Sequence, residues 1–248
     1  MSLRWTRCGV TALFLVLSGC ATVQSPDARD PWESMNRSVF SFNDKVDRIV
    51  LKPVATAYRN VVPDAVQKGV NNFFGNLGDV WSAVNNALAG RRQETGDSIS
   101  RVVVNSTVGI LGIFDVASDM KIPRHKADFG TTLGRWGVKP GPYVVLPVLG
   151  PATLREVAAL PVDYKASLTN QFTEAATRDT LTLLNIVSTR ARYLGASDTA
   201  DGAALDAYSF IRDAYLQRQR YIQYDGNPPD AEPPADEEPD LNENGEVR

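Results

Sequence analysis

Cysteine and histidine are nearly absent from this chain of 248 residues: the cysteines are Cys8 and Cys20, and the one histidine is His125. Because both cysteines lie close to the N-terminus, no disulfide can link distant parts of the body, and the fold must depend on packing. This composition also offers no plausible set of zinc ligands. We therefore expect no metal site.

Signatures of catalysis are missing as well. A Ser-His-Asp arrangement would have to use His125, which lies in a polar segment beside Arg124 and Lys126. The sequence at 96–100 resembles G-x-S-x-G but lacks the final glycine. A single surface histidine is usually solvated, so we expect that the protein is not an enzyme.

The chain also lacks an apolar run of the ~20 residues that a membrane-spanning helix requires. The apolar stretch after Arg4 and Arg7 is short and ends in Leu17-Ser18-Gly19-Cys20, a pattern typical of a secretory signal. It resembles the signal of bacterial lipoproteins, in which a lipid is attached to the cysteine that becomes the first mature residue. We predict a signal peptide at 1–19, a lipidated Cys20 and a linker at 20–29. The alternative is an ordinary signal peptide with a chance cysteine.

Charge is distributed unevenly along the chain. Residues 226–248 contain eight acidic residues and one basic residue, a net charge of −7, so the total of −3 leaves +4 for residues 1–225. The acidic, proline-rich tail at 226–248 cannot bury enough apolar surface to order itself, and we expect it to be disordered. Because the rest of the chain has no clustered basic face, we expect no nucleic-acid partner.

Residues 30–225 carry helical patterns. Asp30-Pro31-Trp32-Glu33 is typical of a helix start. It is followed by one apolar face at spacings of three and four residues: Met35, Val39, Phe42, Val46 and Ile49. We expect Pro53 to kink or end this helix. A second helix begins near Pro63, with interruptions at Gly75 and Gly78. Since no stretch alternates with a period of two, the predicted class is all-α.

Two stretches are unusually apolar. Residues 102–117 predict a helix of about 24 Å, too short to span a bilayer, which would either be buried or lie in one leaflet. Residues 130–151 contain five glycines and four prolines, yet 143–149 are almost wholly apolar. Loops normally run over wet surface, so this loop is either clamped inside the domain or faces lipid or an apolar ligand.

Several motifs between Asp30 and Pro229 resemble the VacJ/MlaA lipoprotein family. They include Asp30-Pro31-Trp32-Glu33, Phe42-Asn43-Asp44-Lys45, Asn72-Phe73-Phe74-Gly75-Asn76, Phe129-Gly130-Thr131-Thr132-Leu133-Gly134 and Gly141-Pro142-Tyr143-Val144-Val145-Leu146-Pro147. The resemblance implies an outer-membrane lipoprotein anchored through Cys20. It also implies a ring of amphipathic helices in the periplasmic leaflet around a polar channel.

The same resemblance implies a function in intermembrane phospholipid transport, with no catalysis and no cofactor. Such a protein removes phospholipids that have strayed into the outer leaflet and passes them to a soluble periplasmic carrier. Trimeric porins of the outer membrane are its implied partners. The alternative that stays open is a scaffold or adhesin lipoprotein that binds a protein and moves no lipid.

By position, Gly141 to Pro151 match the mobile hairpin of this family. Composition and resemblance together predict that Gly141 and Gly150 act as hinges on either side of Pro147. They also predict contacts with acyl chains for a set of apolar side chains: Tyr143, Val144, Leu146, Val148 and Leu149.

Overall fold

The computed structural model describes residues 27–203, 206–224 and 226–228. The predicted signal peptide, Cys20, most of the predicted linker and the tail beyond residue 228 lie outside the described residues.

Helices account for most of the described chain. In chain order they are α1 (Glu33–Val46), α2 (Lys52–Val61), α3 (Asp64–Leu88), α4 (Arg92–Thr107), α5 (Val116–Asp119), α6 (Phe129–Arg135), α7 (Leu154–Ala166), α8 (Ala175–Ala203) and α9 (Ala207–Gln223). A π-helical turn (Asp47–Leu51) joins α1 to α2, and a 3₁₀ turn (Leu168–Gln171) follows α7. The prediction of a mainly helical body is confirmed.

The two expectations about breaks have different outcomes. The first α-helix gives way to a π-helical turn after Val46, and Pro53 lies in the first turn of α2, where its missing N–H is tolerated. Helix α3 runs unbroken through Gly75 and Gly78. A Cβ on Gly75 would lie 2.9 Å from Nη1 of Arg124, so this glycine makes room for a neighbouring side chain rather than breaking the helix.

The predicted helix at 102–117 is also wrong. Helix α4 ends at Thr107, and a tight turn separates it from α5. The backbone is left-handed at Ile110 (φ 51°), Leu111 (φ 56°) and Gly112 (φ 89°). The N–H of Gly112 donates to the carbonyl of Asn105, and a Cβ at Gly112 would lie 2.5 Å from Asn76. We call residues 108–114 the apolar turn.

An antiparallel β-hairpin interrupts the helices; the family resemblance implied a hairpin at this place, but the sequence pattern predicted no strands. Strands β1 (Tyr143–Leu146) and β2 (Gly150–Thr153) pair with Tyr143 opposite Thr153 and Leu146 opposite Gly150. Burial alternates along β1, but all four of its residues are apolar. The two-residue period is therefore invisible in the sequence.

Burial is inverted relative to a water-soluble domain. Among the described residues, nine hydrophobic residues are buried and fifteen polar or charged ones are. Large apolar side chains lie outside, with Val61 79%, Ile49 75% and Leu149 69% exposed. Polar groups normally avoid burial unless they are paired, so this distribution indicates an interior built on hydrogen bonds and a surface suited to an apolar environment. Within the described ranges, no helix combines the length and the apolar character needed to cross a bilayer.

Candidate functional site

A polar cavity of about 570 Å³ lies between the helices. Its walls come from α3, the segment before and at the start of α6, the end of α7 with the 3₁₀ turn, α8 and α9. Several wall residues are ionisable: Asp79, Arg124, Lys126, Asp128, Asp163, Arg192 and Arg218. Elements from distant parts of the sequence thus enclose one space large enough for a lipid headgroup.

One wall of the cavity is fixed by a buried charge cluster, which consists of Asp79, Arg101, Asp115 and Arg124. The Arg101 side chain is 1% exposed and reaches both Asp79, at 3.3 Å, and Asp115, at 2.6 Å. Arg124 also lies 3.1 Å from the carboxylate of Asp79. Asp79 and Arg101 are buried deeply enough that their charges must be neutralised by partners, so the cluster holds α3, α4 and the start of α5 in one arrangement.

The other carboxylates of the cavity also have partners. Asp163 accepts hydrogen bonds from Nε1 of Trp81 at 2.7 Å and from the backbone N–H of Phe129 at 2.9 Å. Burial nevertheless raises the pKa of Asp163 above its usual value. Asp128 caps α6 by accepting from the backbone N–H of Thr131. These acidic groups therefore serve the fold rather than a ligand.

An apolar groove of about 680 Å³ lies on the other side of α3. The first turns of α3, the end of the apolar turn, and Leu181 and Leu184 of α8 form its walls. Phe74 lines both the groove and the polar cavity. A polar and an apolar compartment therefore meet at one aromatic side chain.

The β-hairpin lies against α1 and is held there by the fully buried Asn36. Its Nδ2 donates to the carbonyl of Tyr143 at 3.1 Å, and its Oδ1 accepts from the backbone N–H of Val145 at 2.8 Å. Asp30 receives a second hydrogen bond from Nδ2 at 2.8 Å. The amide thus takes the place of a third strand along the free edge of β1.

Asn43 repeats this contact two helical turns later. It donates to the carbonyl of Leu146 at 2.9 Å and accepts from the backbone N–H of Val148 at 2.8 Å. Seven helical residues rise about 10.5 Å, and three strand residues advance about 10 Å, so the two spacings match. Together Asn36 and Asn43 form what we call the asparagine clamp.

The clamp decides which predicted hairpin residues are accessible. Tyr143 has no exposed surface and packs against Tyr208 and Tyr215, so its predicted acyl contact is wrong. Val144 and Leu146 are half-buried. Val148 and Leu149, at the tip beside Pro147, are 65% and 69% exposed.

Gly141 and Gly150 both have left-handed backbone, with φ of 69° and 86°. Around Gly141 the chain is tied to α7, because the carbonyls of Pro140 and Pro142 accept from the N–H groups of Arg155 and Leu154. A Cβ on Gly141 would lie 3.2 Å from Leu154, whereas one on Gly150 would meet nothing within 4 Å. These contacts restrict movement at Gly141, and the hinge role of both glycines stays a prediction.

Sequence reasoning missed the clamp and the buried charge cluster. The seven-residue spacing of Asn36 and Asn43 on one helix face was a usable signal, since it repeats one position every two turns. No comparable signal marked Arg101, whose partners come from α3 and from the residue before α5.

Several known proteins resemble this chain in fold or in sequence. A solved structure, described as the structural basis for maintenance of bacterial outer membrane lipid asymmetry, matches with a TM-score of 0.69 and 34% identity. The match covers 78% of this chain and 98% of that one. The intermembrane phospholipid transport system lipoprotein MlaA of Escherichia coli K12 is 35% identical over 217 residues, which cover 85% of this chain and 86% of that protein. Its namesake in Haemophilus influenzae is 30% identical over 233 residues, which cover 89% of this chain and 92% of that protein.

The family described as MlaA lipoprotein matches residues 28–222, which include every helix and both strands of the described structure except the last residue of α9. On that match, and on the identity to these relatives, the chain belongs to the MlaA lipoprotein family.

Proposed function

We propose that this protein is a lipid-anchored outer-membrane component of intermembrane phospholipid transport. It takes mislocalised phospholipids from the outer leaflet through its polar cavity and passes them to a periplasmic carrier protein. The acylated Cys20 holds the body in the periplasmic leaflet, and trimeric porins are its partners in the outer membrane. The names of the relatives in Escherichia coli and Haemophilus influenzae support the transport role.

One observation carries this proposal: a polar cavity is enclosed by a body whose outer face is apolar. A phospholipid that crosses a leaflet must keep its headgroup in polar surroundings, since an unpaired charge in hydrocarbon costs several kcal/mol or more. The polar cavity provides such surroundings, and the exposed side chains outside it suit acyl chains. This division of the molecule into a polar interior and an apolar exterior supports the proposed function.

The hairpin tip adds a second contact with lipid. Val148 and Leu149 project from a hairpin that the asparagine clamp holds along its length. Their exposure in water would be unfavourable at about 25 cal/mol per Å² of apolar surface. We assign these two side chains, with the accessible parts of Val144 and Leu146, to contacts with acyl chains.

A blocked cavity tests the transport role. Gly78 lines the cavity, and a Cβ there meets no atom within 4 Å, so Gly78→Phe adds a ring at a cavity position whose Cβ has open surroundings. Gly96, inside α4 and outside the cavity, has equally open surroundings, and Gly96→Phe is the matched control. The assay labels phospholipid amines at the cell surface with a reagent that does not cross membranes.

We expect Gly78→Phe cells to accumulate surface phospholipid as strongly as cells without the protein, at an equal amount of protein in the membrane. Gly96→Phe cells should resemble the wild type. If Gly78→Phe clears surface phospholipid normally, the cavity is not the route. If cells without the protein show normal surface phospholipid as well, the transport role is wrong, and a scaffold that binds a protein partner becomes the better explanation.

A further inference from the structure

The polar cavity contains cations without partners. Its carboxylates on Asp79, Asp128 and Asp163 are engaged by protein donors, as described above. Within the described part of the chain, Lys126 and Arg218 form no ion pair, although both line the cavity and are exposed to it. The cavity therefore presents positive charge that the fold itself does not use.

Arg192 adds to this charge, whereas the charge of Arg124 is balanced within the buried charge cluster and only one of its donors lacks a partner. Nη2 of Arg124 is buried and makes no hydrogen bond; its nearest carboxylate oxygen, on Asp115, is 3.7 Å away. A buried donor without an acceptor is costly, so such a group marks a place where an acceptor can bind. Arg192, on α8, lies over the ring of Tyr193 and donates one long hydrogen bond to its hydroxyl, which leaves most of the guanidinium N–H groups free.

The backbone is arranged to admit Arg124. A side chain at position 75 would collide with its guanidinium, since a Cβ there would lie 2.9 Å from Nη1. Asp79 fixes Nε of the same guanidinium at 3.1 Å. The side chain is therefore pre-oriented, with one edge bound to the protein and another edge left for a ligand.

We propose that Arg124, Lys126, Arg192 and Arg218 form a binding site for the phosphate group of glycerophospholipids, and that it favours lipids with a net negative charge. This inference rests on the proposed transport function and specifies its substrate. A phosphodiester oxygen pair matches the fork of a guanidinium, and a lysine adds a point charge without directional constraint. Because three of the four cations are exposed to water, binding is weak enough to release the lipid onward.

The site is tested with lipids that differ only in the headgroup. The lipid-anchored full chain, in a neutral detergent, is titrated with phosphatidylglycerol that carries a fluorescent acyl chain, and separately with diacylglycerol that carries the same chains. We expect phosphatidylglycerol to bind at least about tenfold more tightly than diacylglycerol. The triple variant Lys126→Gln, Arg192→Gln, Arg218→Gln should remove most of this difference.

The matched control removes three exposed positive charges outside the cavity: Arg59→Gln, Lys121→Gln and Lys139→Gln. It should bind phosphatidylglycerol as the wild type does. All six positions are exposed, so circular dichroism should show unchanged helix content in both triple variants. Gly75→Ala, which displaces Arg124, should weaken binding of phosphatidylglycerol several-fold and leave diacylglycerol unaffected.

Each alternative result has a distinct meaning. Equal binding of the two lipids, or equal losses in the two triple variants, would overturn the phosphate site and leave the transport function standing. Binding of neither lipid would contradict the transport function itself. If inorganic phosphate at equal concentration displaces phosphatidylglycerol completely, the site belongs to free phosphate and the assignment to lipid is wrong.

Discussion

The buried charge cluster and the apolar turn are neighbours in the chain and opposites in character. Arg101 is almost entirely enclosed, whereas Ile110 and Leu111, one turn of chain beyond α4, are 58% and 67% exposed. In water both arrangements would be unfavourable, the first through desolvation and the second through exposed apolar surface. The contrast shows that polar groups fill the interior and apolar side chains cover the surface, which is the distribution that the proposed position in a membrane leaflet requires.

The apolar turn also has a strained backbone. Left-handed backbone at a β-branched residue such as Ile110 is rare and costs on the order of 1–3 kcal/mol. Such strain persists only where contacts fix it, and here Asn72 donates to the carbonyl of Ile113 while Gly109 accepts from Phe114. The turn is thus held rigidly with its apolar side chains outward.

Of the substitutions considered, replacement of Arg101 should lower the free energy of unfolding most. Arg101→Met leaves the buried Asp79 with one partner in place of two, and we expect a loss of about 3–5 kcal/mol in the free energy of unfolding. Denaturant unfolding in detergent micelles measures this. The double variant with Asp79→Asn should lose less than the sum of the two single variants. A cost below about 1 kcal/mol for Arg101→Met would show that the cluster does not organise the interior.

The two residues of the asparagine clamp should contribute unequally to stability, with Asn36 contributing more than Asn43. Asn36→Ala leaves the buried carbonyl of Tyr143 and the buried N–H of Val145 without this hydrogen-bond partner. We expect the free energy of unfolding to fall by about 1–3 kcal/mol. Asn43→Ala frees groups nearer the surface and should cost about 1 kcal/mol or less. Unfolding measurements give both values, and hydrogen exchange at Val148 should accelerate in the second variant. Equal costs at the two positions would contradict the difference in burial.

The apolar turn should tolerate polar change. Leu111→Asn suits a left-handed backbone, and the side chain is exposed, so the free energy of unfolding in micelles should change by about 0.5 kcal/mol or less. Binding to phospholipid vesicles should nevertheless weaken. Lys121, also exposed and left-handed, provides the control variant Lys121→Asn, which should keep wild-type vesicle binding. A large loss of stability for Leu111→Asn would place this turn in the core instead.

The smallest change in stability is expected for Tyr143→Phe, and it should appear mainly at alkaline pH. Burial, together with the nearby charge of Asp30, raises the pKa of Tyr143 to about 12. A folded-state pKa above the unfolded value of about 10 means that stability is lost as pH rises from about 10 to about 12. Tyr143→Phe should remove that part of the loss and cost little at neutral pH, since the Tyr143 hydroxyl makes no hydrogen bond. An unchanged alkaline unfolding profile would contradict this.

Local sequence patterns predicted the helical class, because helix periodicity is visible in sequence. They also marked residues 143–149 as an unusual apolar segment, because it is flanked by clustered Gly and Pro. They did not predict the break after Thr107, since the close approach of Asn76, from another helix, to Gly112 is not visible in the local sequence. They also failed for Tyr143, whose burial depends on Asn36 and on the aromatic rings of α9. What escaped prediction in each case was a contact between residues distant in sequence.

Collision measurements on nitroxide labels test the central claim most directly. With Cys20 acylated and Cys8 removed with the signal peptide, the mature protein would offer no competing thiol, so single cysteines at Leu111, Leu149 and Arg218 can be labelled. In phospholipid vesicles we expect labels at 111 and 149 to collide mainly with oxygen dissolved in lipid. The label at 218, inside the polar cavity, should collide mainly with a water-soluble nickel complex. Equal exposure of all three labels to nickel would contradict the account.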